Sequence, residues 1–239
     1  MAETTMPRRR GNVYARAMPT QALTLSLPNG ETVSGLWQSP ADPAAVLVLA
    51  HGAGAGMTHR HMAATADGLE ERGVATLRYQ FPYMEKGGKR PDTPAVAHAA
   101  VRAAAAEGLK RAGDLPLFAG GRSFGARMTS QAQAKAALPG VRGLVFFAFP
   151  LHPAGKPGVD RADHLHDVSV PMLFLQGTKD TLAELDLLKP VVAGLGARAI
   201  LVLADEADHA FHVPARTGRK DPEVLAELLA RAGTWMRAV

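Results

Sequence analysis

The stretch LPLFAGGRSFGARM, residues 115–128, joins a short apolar run to a helix-forming segment through glycines and a serine. Ser123 lies midway between Gly121 and Gly125, at the point where a predicted strand turns into a predicted helix. Glycines at these positions allow the strand and the helix to approach closely, and the sharp turn exposes the serine hydroxyl. This context favours Ser123 as a nucleophile over the alternative, a small residue in a packed turn.

Short apolar runs that end in glycine, proline or polar residues recur along the chain. Such runs are typical of strands buried on both faces of a parallel sheet. The runs are AAVLVLA, GVATLRY, LPLFAGG, VRGLVFFAF, VPMLFLQG and RAILVLAD. Before them, two alternating runs flank Asn29 and Gly30, residues that tolerate positive φ, and this pattern predicts an antiparallel hairpin.

Helical patterns separate the predicted strands. One helix is predicted to begin at Thr93 and Pro94, with these residues on its inner face: Val96, Ala99, Ala100, Ala103 and Ala104. The last helix is predicted to begin at Asp221 and Pro222, with an inner stripe of Leu225, Leu228, Leu229, Ala232 and Met236. This order predicts an α/β fold, a three-layer α/β/α sandwich whose mostly parallel sheet carries an N-terminal antiparallel hairpin. Functional residues are then expected in loops at the carboxyl ends of the strands.

Length and composition limit the organisation and the location of the protein. With 239 residues, 47% of them hydrophobic, the chain can form one sizeable core, so we expect a single domain over residues 21–239. Residues 1–20 carry basic residues without a following apolar stretch, which predicts a flexible segment and no export signal. The chain has no cysteine, which excludes disulfides and fits the cytoplasmic location that we expect.

Charge and hydropathy narrow the set of partners. The formal charge is +5, but the basic residues are scattered and only 5% of residues are aromatic, so we expect no nucleic-acid partner. Every apolar run is too short for a membrane helix, so we expect no membrane partner. The predicted partner is a small molecule.

A serine nucleophile needs a base and an acid that orients the base. Asp180 follows the run VPMLFLQG, and His209 follows the run RAILVLAD, so each lies beyond its own strand. The order serine, acid, histidine is the one that a strand–elbow–helix nucleophile on such a sheet requires. Competing candidates lie in the loop of the histidine: Asp205, Glu206, Asp208 and His212. The strand-end spacing favours Asp180 as the acid and His209 as the base.

The glycine-rich loop HGAGAG, residues 51–56, is the candidate for stabilising an oxyanion. We predict the backbone amides of Phe124 and Ala53 as donors, with Gly54 as the substitute for Ala53. The alternative is a phosphate-binding loop, but the stretch lacks both the Lys-Ser/Thr ending of a P-loop and the G-x-G-x-x-G spacing.

Four residues around these loops are predicted to contact the substrate: His51, Gly52, Arg122 and Tyr83. The segment from Tyr83 to Arg90 either overhangs the site or forms a mobile basic loop, and both interpretations stay open at this point. A metal site would need the histidines between the last strands, which are His152, His164 and His166. Their spacing does not place them on one helical face, so we expect neither a metal nor a cofactor.

The chain resembles an α/β-hydrolase and, within that superfamily, the small dienelactone-hydrolase-like group of hydrolases. The resemblance extends from about residue 22 to the end and is carried by LAHGAGAGM, FPYME, FAGGRSFGARM, FPLHPAGKP, QGTKD and DHAF. Dienelactone hydrolases proper use a cysteine where this chain has Ser123. The resemblance therefore implies hydrolysis of a small carboxylic ester or lactone through a serine acyl-enzyme.

Two further expectations follow from the resemblance. Many hydrolases of this fold insert a lid where this chain has only about twenty residues, roughly 150–169, which are rich in Pro and Gly. We therefore expect no lid domain and an open pocket. Some eukaryotic relatives are subunits of chromatin-modifying complexes, so the alternative function is a non-catalytic interaction module on a hydrolase scaffold.

Overall fold

The predicted apolar runs and the N-terminal hairpin form the strands of one sheet in the computed structural model, which describes residues 20–239. The strands are β1 (Gln21–Ser26), β2 (Thr32–Gln38), β3 (Ala45–Ala50), β4 (Val74–Tyr79), β5 (Leu117–Arg122), β6 (Val141–Phe147), β7 (Met172–Gly177) and β8 (Ala199–Ala204). The segment 1–20 that we predict to be flexible lies outside the described residues, apart from Thr20.

The strand order across the sheet is β1-β2-β4-β3-β5-β6-β7-β8. β1 pairs with β2 and β2 pairs with β4 in antiparallel fashion, and every other neighbouring pair is parallel. The turn of the hairpin contains Gly30 at φ +84°, a value that glycine adopts without strain. The predicted mostly parallel sheet with an N-terminal antiparallel hairpin is therefore confirmed.

Within residues 20–239, six α-helices connect and cover the strands. They are α1 (Arg60–Glu70), α2 (Pro82–Glu85), α3 (Pro94–Ala112), α4 (Phe124–Lys135), α5 (Leu185–Gly194) and α6 (Asp221–Ala238). Buried residues of α1 and α6 share one apolar cluster, whereas those of α3, α4 and α5 belong to a second cluster. The helices thus form one layer on each side of the sheet, which confirms the three-layer sandwich.

The side chains of the central strand β3 contribute to both apolar clusters. Its successive side chains alternate between the two clusters, with Leu47 and Leu49 in one and Val46 and Val48 in the other. All four are at most 2% exposed. A strand buried on both faces cannot show polar alternation, which is why these runs read as continuous apolar stretches.

Two details of the predicted packing are wrong. β8 is not buried on both faces, because it is the last strand of the sheet, and Ile200 and Leu203 are 47% and 38% exposed. On α3 the buried face is rotated by about one residue, so that Ala97 and Ala104 are buried while Val96 is 40% exposed. An alanine-rich helix offers little hydrophobic contrast between its faces, so the sequence defines its rotation weakly.

The connection between β6 and β7 contains no lid domain. Its regular structure is one 3-10 helix, Asp160–Asp167, whose Ala162 and Leu165 are buried against the core. The connection therefore lies along the molecule as a wall beside the carboxyl ends of the strands. This confirms the prediction that a lid domain is absent.

Candidate active site

Ser123 occupies a strained turn between β5 and α4, at φ +50° and ψ −112°. A serine at such a φ costs of order 1 kcal/mol or more, and the surrounding chain must enforce it. A Cβ added to Gly121 would lie 2.6 Å from the carbonyl oxygen of Ala50, and one added to Gly125 would lie equally close to that oxygen. The end of β3 thus passes so close to the turn that only glycine fits on both sides of the serine.

The structure brings the three predicted catalytic side chains into one hydrogen-bonded row. His209 Nε2 lies 2.9 Å from Ser123 Oγ, and His209 Nδ1 lies 2.7 Å from Asp180 Oδ2. With Nδ1–H donating to the carboxylate, Nε2 is left to accept the hydroxyl proton. This arrangement can remove a proton from the serine as its oxygen attacks a carbonyl carbon.

The carboxylate of Asp180 is fully buried and fully bonded. Besides the imidazole, its oxygens accept hydrogen bonds from Gln176 Nε2 at 2.5 Å and from the Leu182 amide at 2.8 Å. Such donors offset the cost of burying a carboxylate. Its orientation is therefore fixed before any substrate arrives.

The rival acids and the rival base have other partners. Asp208 Oδ1 accepts the amides of Ala210 and His212 at 2.7 and 2.9 Å, and so closes the loop that carries the histidine. The His212 ring contacts Asp221 at 2.9 Å. Asp205 is hydrogen-bonded to Thr178, and Glu206 forms ion pairs with Lys179 and Arg216. None of these side chains is bonded to Ser123 or His209.

The loops of the acid and the base are packed against each other. A Cβ on Gly177, at the end of β7, would lie 2.2 Å from the carbonyl oxygen of Ala207. The Lys179 amide donates to that same oxygen at 2.8 Å. The Asp180 loop and the His209 loop therefore form one unit at the edge of the sheet.

The predicted oxyanion donors come from two segments beside Ser123, Ala53 from the glycine-rich loop and Phe124 from the start of α4. Ala53 and Phe124 both line a cavity that includes Ser123. The Gly54 amide already donates to the Tyr83 hydroxyl at 3.2 Å, which favours Ala53 over Gly54 as the second donor. Gly52, predicted to contact the substrate, also lies at the serine, since a Cβ on it would be 3.6 Å from Ser123 Cβ.

His51 and Tyr83 do not lie where a substrate could reach them, in contrast to our prediction. The His51 ring is 0% exposed, with Nδ1–H donating to Gly52 O at 2.8 Å and Nε2 accepting the Phe81 amide at 3.0 Å. Tyr83 is 6% exposed and its hydroxyl is bonded to Gly54. Both residues fix the shape of the glycine-rich loop. This role follows from the hydrogen bonds of the His51 ring nitrogens and of the Tyr83 hydroxyl, which the sequence does not show.

Arg122, the fourth predicted substrate contact, holds the loop of the histidine. Its guanidinium donates to the backbone carbonyl of His209 at 2.7 Å and lies 5.3 Å from the centre of the Phe211 ring. Burial lowers the pKa of Arg122, and the charges of Asp180 and Asp208 oppose that effect. The side chain also borders the cavities on the His209 side, so positioning and substrate contact are compatible.

The segment that follows Tyr83 is tethered to the N-terminal hairpin and does not cover Ser123. Glu85 accepts hydrogen bonds from the amide and hydroxyl of Ser34 at 2.9 and 2.8 Å. Lys86 pairs with Glu31 at 2.6 Å. These contacts hold Glu85 and Lys86 against the hairpin, so this part of the segment is neither an overhanging loop nor a loop without contacts.

In the described part of the chain, Ser123 borders both a smaller and a larger cavity. The smaller, about 110 Å³, includes His209, His61 and Arg122, and the larger, about 390 Å³, includes Phe124 and Leu182. Ala53 borders both. A carbonyl group at the serine can therefore extend one substituent into each cavity.

Of the three histidines considered for a metal site, His166 is exposed and the other two are bonded to neighbouring groups. His164 Nε2 lies 2.7 Å from Ser130 Oγ, and the His152 ring contacts Pro153 O at 2.9 Å and the Glu184 carboxylate. Within residues 20–239, no group of three or more His, Asp or Glu side chains is arranged to hold a metal ion. Over the same residues, none of the helices has the length and apolar character needed to cross a membrane.

The buried histidines make stability depend on pH. Burial lowers the pKa of His51 to about 4, whereas an unfolded histidine titrates near 6.5. Between these values the unfolded chain binds a proton that the folded protein does not, so the free energy of unfolding falls as the pH drops. For His51 alone we expect a loss of about 2 kcal/mol between about pH 7.5 and about pH 5, measured by urea denaturation.

Other histidines modify this dependence. Burial lowers the pKa of His164 to about 4, which adds a loss of the same sign, while Asp221 raises the pKa of the exposed His212, with the opposite sign. The variant His51→Gln should flatten the profile, and His166→Gln, at an exposed position, should leave it as in the wild type. Constant stability between about pH 7.5 and 5 would show that the buried imidazoles are freely protonated.

The sequence of the chain matches the model of a known protein family. Residues 43–237 match the family model described as an alpha/beta hydrolase domain. The matched region begins just before β3 and ends within α6, and it contains the whole row of Ser123, His209 and Asp180.

Solved structures share the fold at low sequence identity. An alpha-beta serine hydrolase homologue from Coxiella burnetii is 20% identical, with 90% of this chain and 98% of that chain covered and a TM-score of 0.73. Dienelactone hydrolase from Anabaena variabilis is 19% identical, with 92% and 97% covered and a TM-score of 0.73. A lidless α/β serine hydrolase from Xanthomonas campestris is 23% identical, with 94% and 99% covered and a TM-score of 0.71. At these identities the likeness shows the fold.

Proposed function

The chain belongs to the alpha/beta hydrolase family, and from this premise we propose that it is a serine hydrolase of small carboxylic esters or lactones that acts through an acyl-enzyme. The observation that carries the proposal is the row Ser123, His209, Asp180, with its two hydrogen bonds of 2.9 and 2.7 Å. A non-catalytic scaffold has no chemical need for a serine in a strained turn bonded to an oriented imidazole.

In the first half-reaction, Ser123 Oγ attacks the carbonyl carbon of the ester while its proton passes to His209 Nε2. The negative charge that forms on the carbonyl oxygen is stabilised by the amides of Ala53 and Phe124. The buried charge of Asp180 stabilises the imidazolium. The bond to the alcohol then breaks, the alcohol takes the proton from His209, and the acyl group stays on Ser123.

In the second half-reaction, a water molecule replaces the alcohol. His209 Nε2 takes a proton from the water as its oxygen attacks the acyl carbon, and the same amides stabilise the new oxyanion. The bond from the acyl carbon to Ser123 Oγ breaks, and the serine recovers its proton from the imidazolium. The products are one carboxylic acid and the free enzyme, so the cycle needs no cofactor.

Labelling with a fluorophosphonate probe followed by mass spectrometry tests the proposal. We expect one covalent adduct, on Ser123. Ser130 is the internal control, because it also lies beside an imidazole, His164, but is fully buried and has no place for the probe. If the folded protein is not labelled at all, the function as a non-catalytic interaction module replaces the hydrolase.

The rate of hydrolysis is expected to depend on the length of the acyl chain of the ester. Because no lid domain covers the site and the larger cavity holds about 390 Å³, 4-nitrophenyl acetate and butyrate should be hydrolysed with higher kcat/KM than the palmitate ester. The rate should not rise when an oil–water interface is added. A preference for palmitate, or activation at an interface, would contradict the proposed class of substrates.

A further inference from the structure

The larger cavity at Ser123 contains two arginines, Arg127 from α4 and Arg161 from the 3-10 helix that follows β6. Arg127 is four residues beyond Ser123, so it lies on the same side of the helix, about 6 Å further along its axis. Arg161 belongs to the connection between β6 and β7, whose 3-10 helix packs against α4. Both arginines thus line the cavity that also includes Ser123.

Neither arginine has an anionic partner in the part of the chain that the structure describes. No carboxylate oxygen of residues 20–239 lies within 4.0 Å of either guanidinium. Arg127 Nε is buried without a hydrogen-bond acceptor. Burial lowers the pKa of Arg127, and the charge of Arg161 lowers it further. Both side chains are only partly buried, and two neighbouring cations without a carboxylate beside them in the described residues attract an anion.

The cavity has one carboxylate in its wall, Asp92, which is engaged elsewhere. Its Oδ2 accepts the Tyr83 amide at 3.0 Å. The walls therefore carry two positive charges and one negative charge, a balance that suits a single negative charge such as a carboxylate. Aliphatic and proline residues complete the lining: Pro91, Pro150, Pro153, Ala154 and Leu182.

The position of His209 identifies this cavity as the one for the acyl group. The imidazole must return its proton to the leaving alcohol, so the alcohol has to lie on the His209 side. His209 lines the smaller cavity and does not line the larger one, whereas Phe124, a proposed oxyanion donor, lines only the larger one. The acyl chain of a bound ester consequently runs toward Arg127 and Arg161.

We propose that Arg127 and Arg161 form a subsite for a carboxylate at the far end of the acyl group, so that the substrates are monoesters of short dicarboxylic acids. The inference rests on the proposed hydrolase function and names its acyl specificity. Guanidinium groups suit this role, because they bind carboxylates through paired N–H donors and stay charged.

The test compares two esters of equal chain length, mono-4-nitrophenyl adipate and 4-nitrophenyl hexanoate, with spontaneous hydrolysis subtracted. The wild-type protein should show a higher kcat/KM for the adipate monoester. In Arg161→Gln and in Arg127→Gln, the ratio of the two kcat/KM values should fall by about ten- to a hundred-fold, as expected when a charged hydrogen bond is lost. Arg142→Gln, on the exposed side of β6, should leave both values unchanged.

The outcomes separate this inference from the function on which it rests. If Ser123 is labelled and the hexanoate ester is hydrolysed, but the wild-type ratio is at or below one or is the same in Arg161→Gln, the carboxylate subsite is wrong and the hydrolase stands. If neither ester is hydrolysed and Ser123 is not labelled, both are wrong. Should Arg127→Gln not fold, Arg161→Gln and the charge reversal Arg161→Glu carry the test.

Discussion

Replacing Ser123 with alanine is expected to lower kcat for 4-nitrophenyl butyrate by about five to six orders of magnitude. The methyl side chain can neither attack the carbonyl carbon nor form an acyl-enzyme. The oxyanion donors and the binding cavities remain, so a residual rate above that in water should persist. The measurement is the initial rate of 4-nitrophenolate release, with circular dichroism to show that the variant is folded.

Ser130→Ala is the matched control for this variant. Ser130 also lies on α4 and also bonds to an imidazole, His164 at 2.7 Å, but it lies outside both cavities at Ser123. Its replacement should leave the rate of ester hydrolysis close to that of the wild type. If Ser123→Ala keeps a tenth or so of the activity, the hydrolysis arises from another group and the proposed nucleophile is wrong.

Replacing Asp180 with asparagine is expected to lower kcat by about three to four orders of magnitude. The amide has the shape of the carboxylate but lacks its charge, and it can present N–H to His209 Nδ1. The imidazole then holds the wrong tautomer, with a proton on the nitrogen that faces Ser123. The measurement is kcat for 4-nitrophenyl butyrate, together with a thermal melt to compare stability.

Asp208→Asn separates this effect from a general change of charge. The Asp208 side chain accepts two amides of its own loop and does not contact the imidazole, so its replacement should cost far less activity. If Asp208→Asn abolished hydrolysis while Asp180→Asn left it nearly intact, the acid would be Asp208.

The elements that could be predicted from the sequence are those with strong local signals. Buried strands such as β5 and β7 are continuous apolar runs, and Pro94 and Pro222 mark the first turns of α3 and α6. The order of Ser123, Asp180 and His209 indicates a shared edge, because the carboxyl ends of parallel strands meet there. These three residues lie close together because of the order and direction of the strands, which the succession of apolar runs and helical segments predicts.

The features that escaped prediction depend on contacts between distant segments. Nothing local shows that Tyr83 would bond to Gly54, or that His51 would be enclosed with both ring nitrogens bonded. The presence of Arg127 and Arg161 in one cavity depends on the path of an irregular connection, which has no periodic signal. Side chains that act through tertiary contacts are therefore the ones that the sequence leaves open.

The connection between β6 and β7 forms a wall whose sequence can vary independently of the proposed catalytic residues. The proposed catalytic residues follow the ends of β5, β7 and β8, whereas Pro150, Pro153 and Arg161 belong to a separate stretch of chain. We expect substitutions of side chains in that stretch to alter what the cavity accepts while Ser123 and His209 keep their positions. A mutant library confined to residues 150–161 should therefore yield hydrolases of new selectivity with their turnover chemistry intact, whether selection acts in nature or in the laboratory.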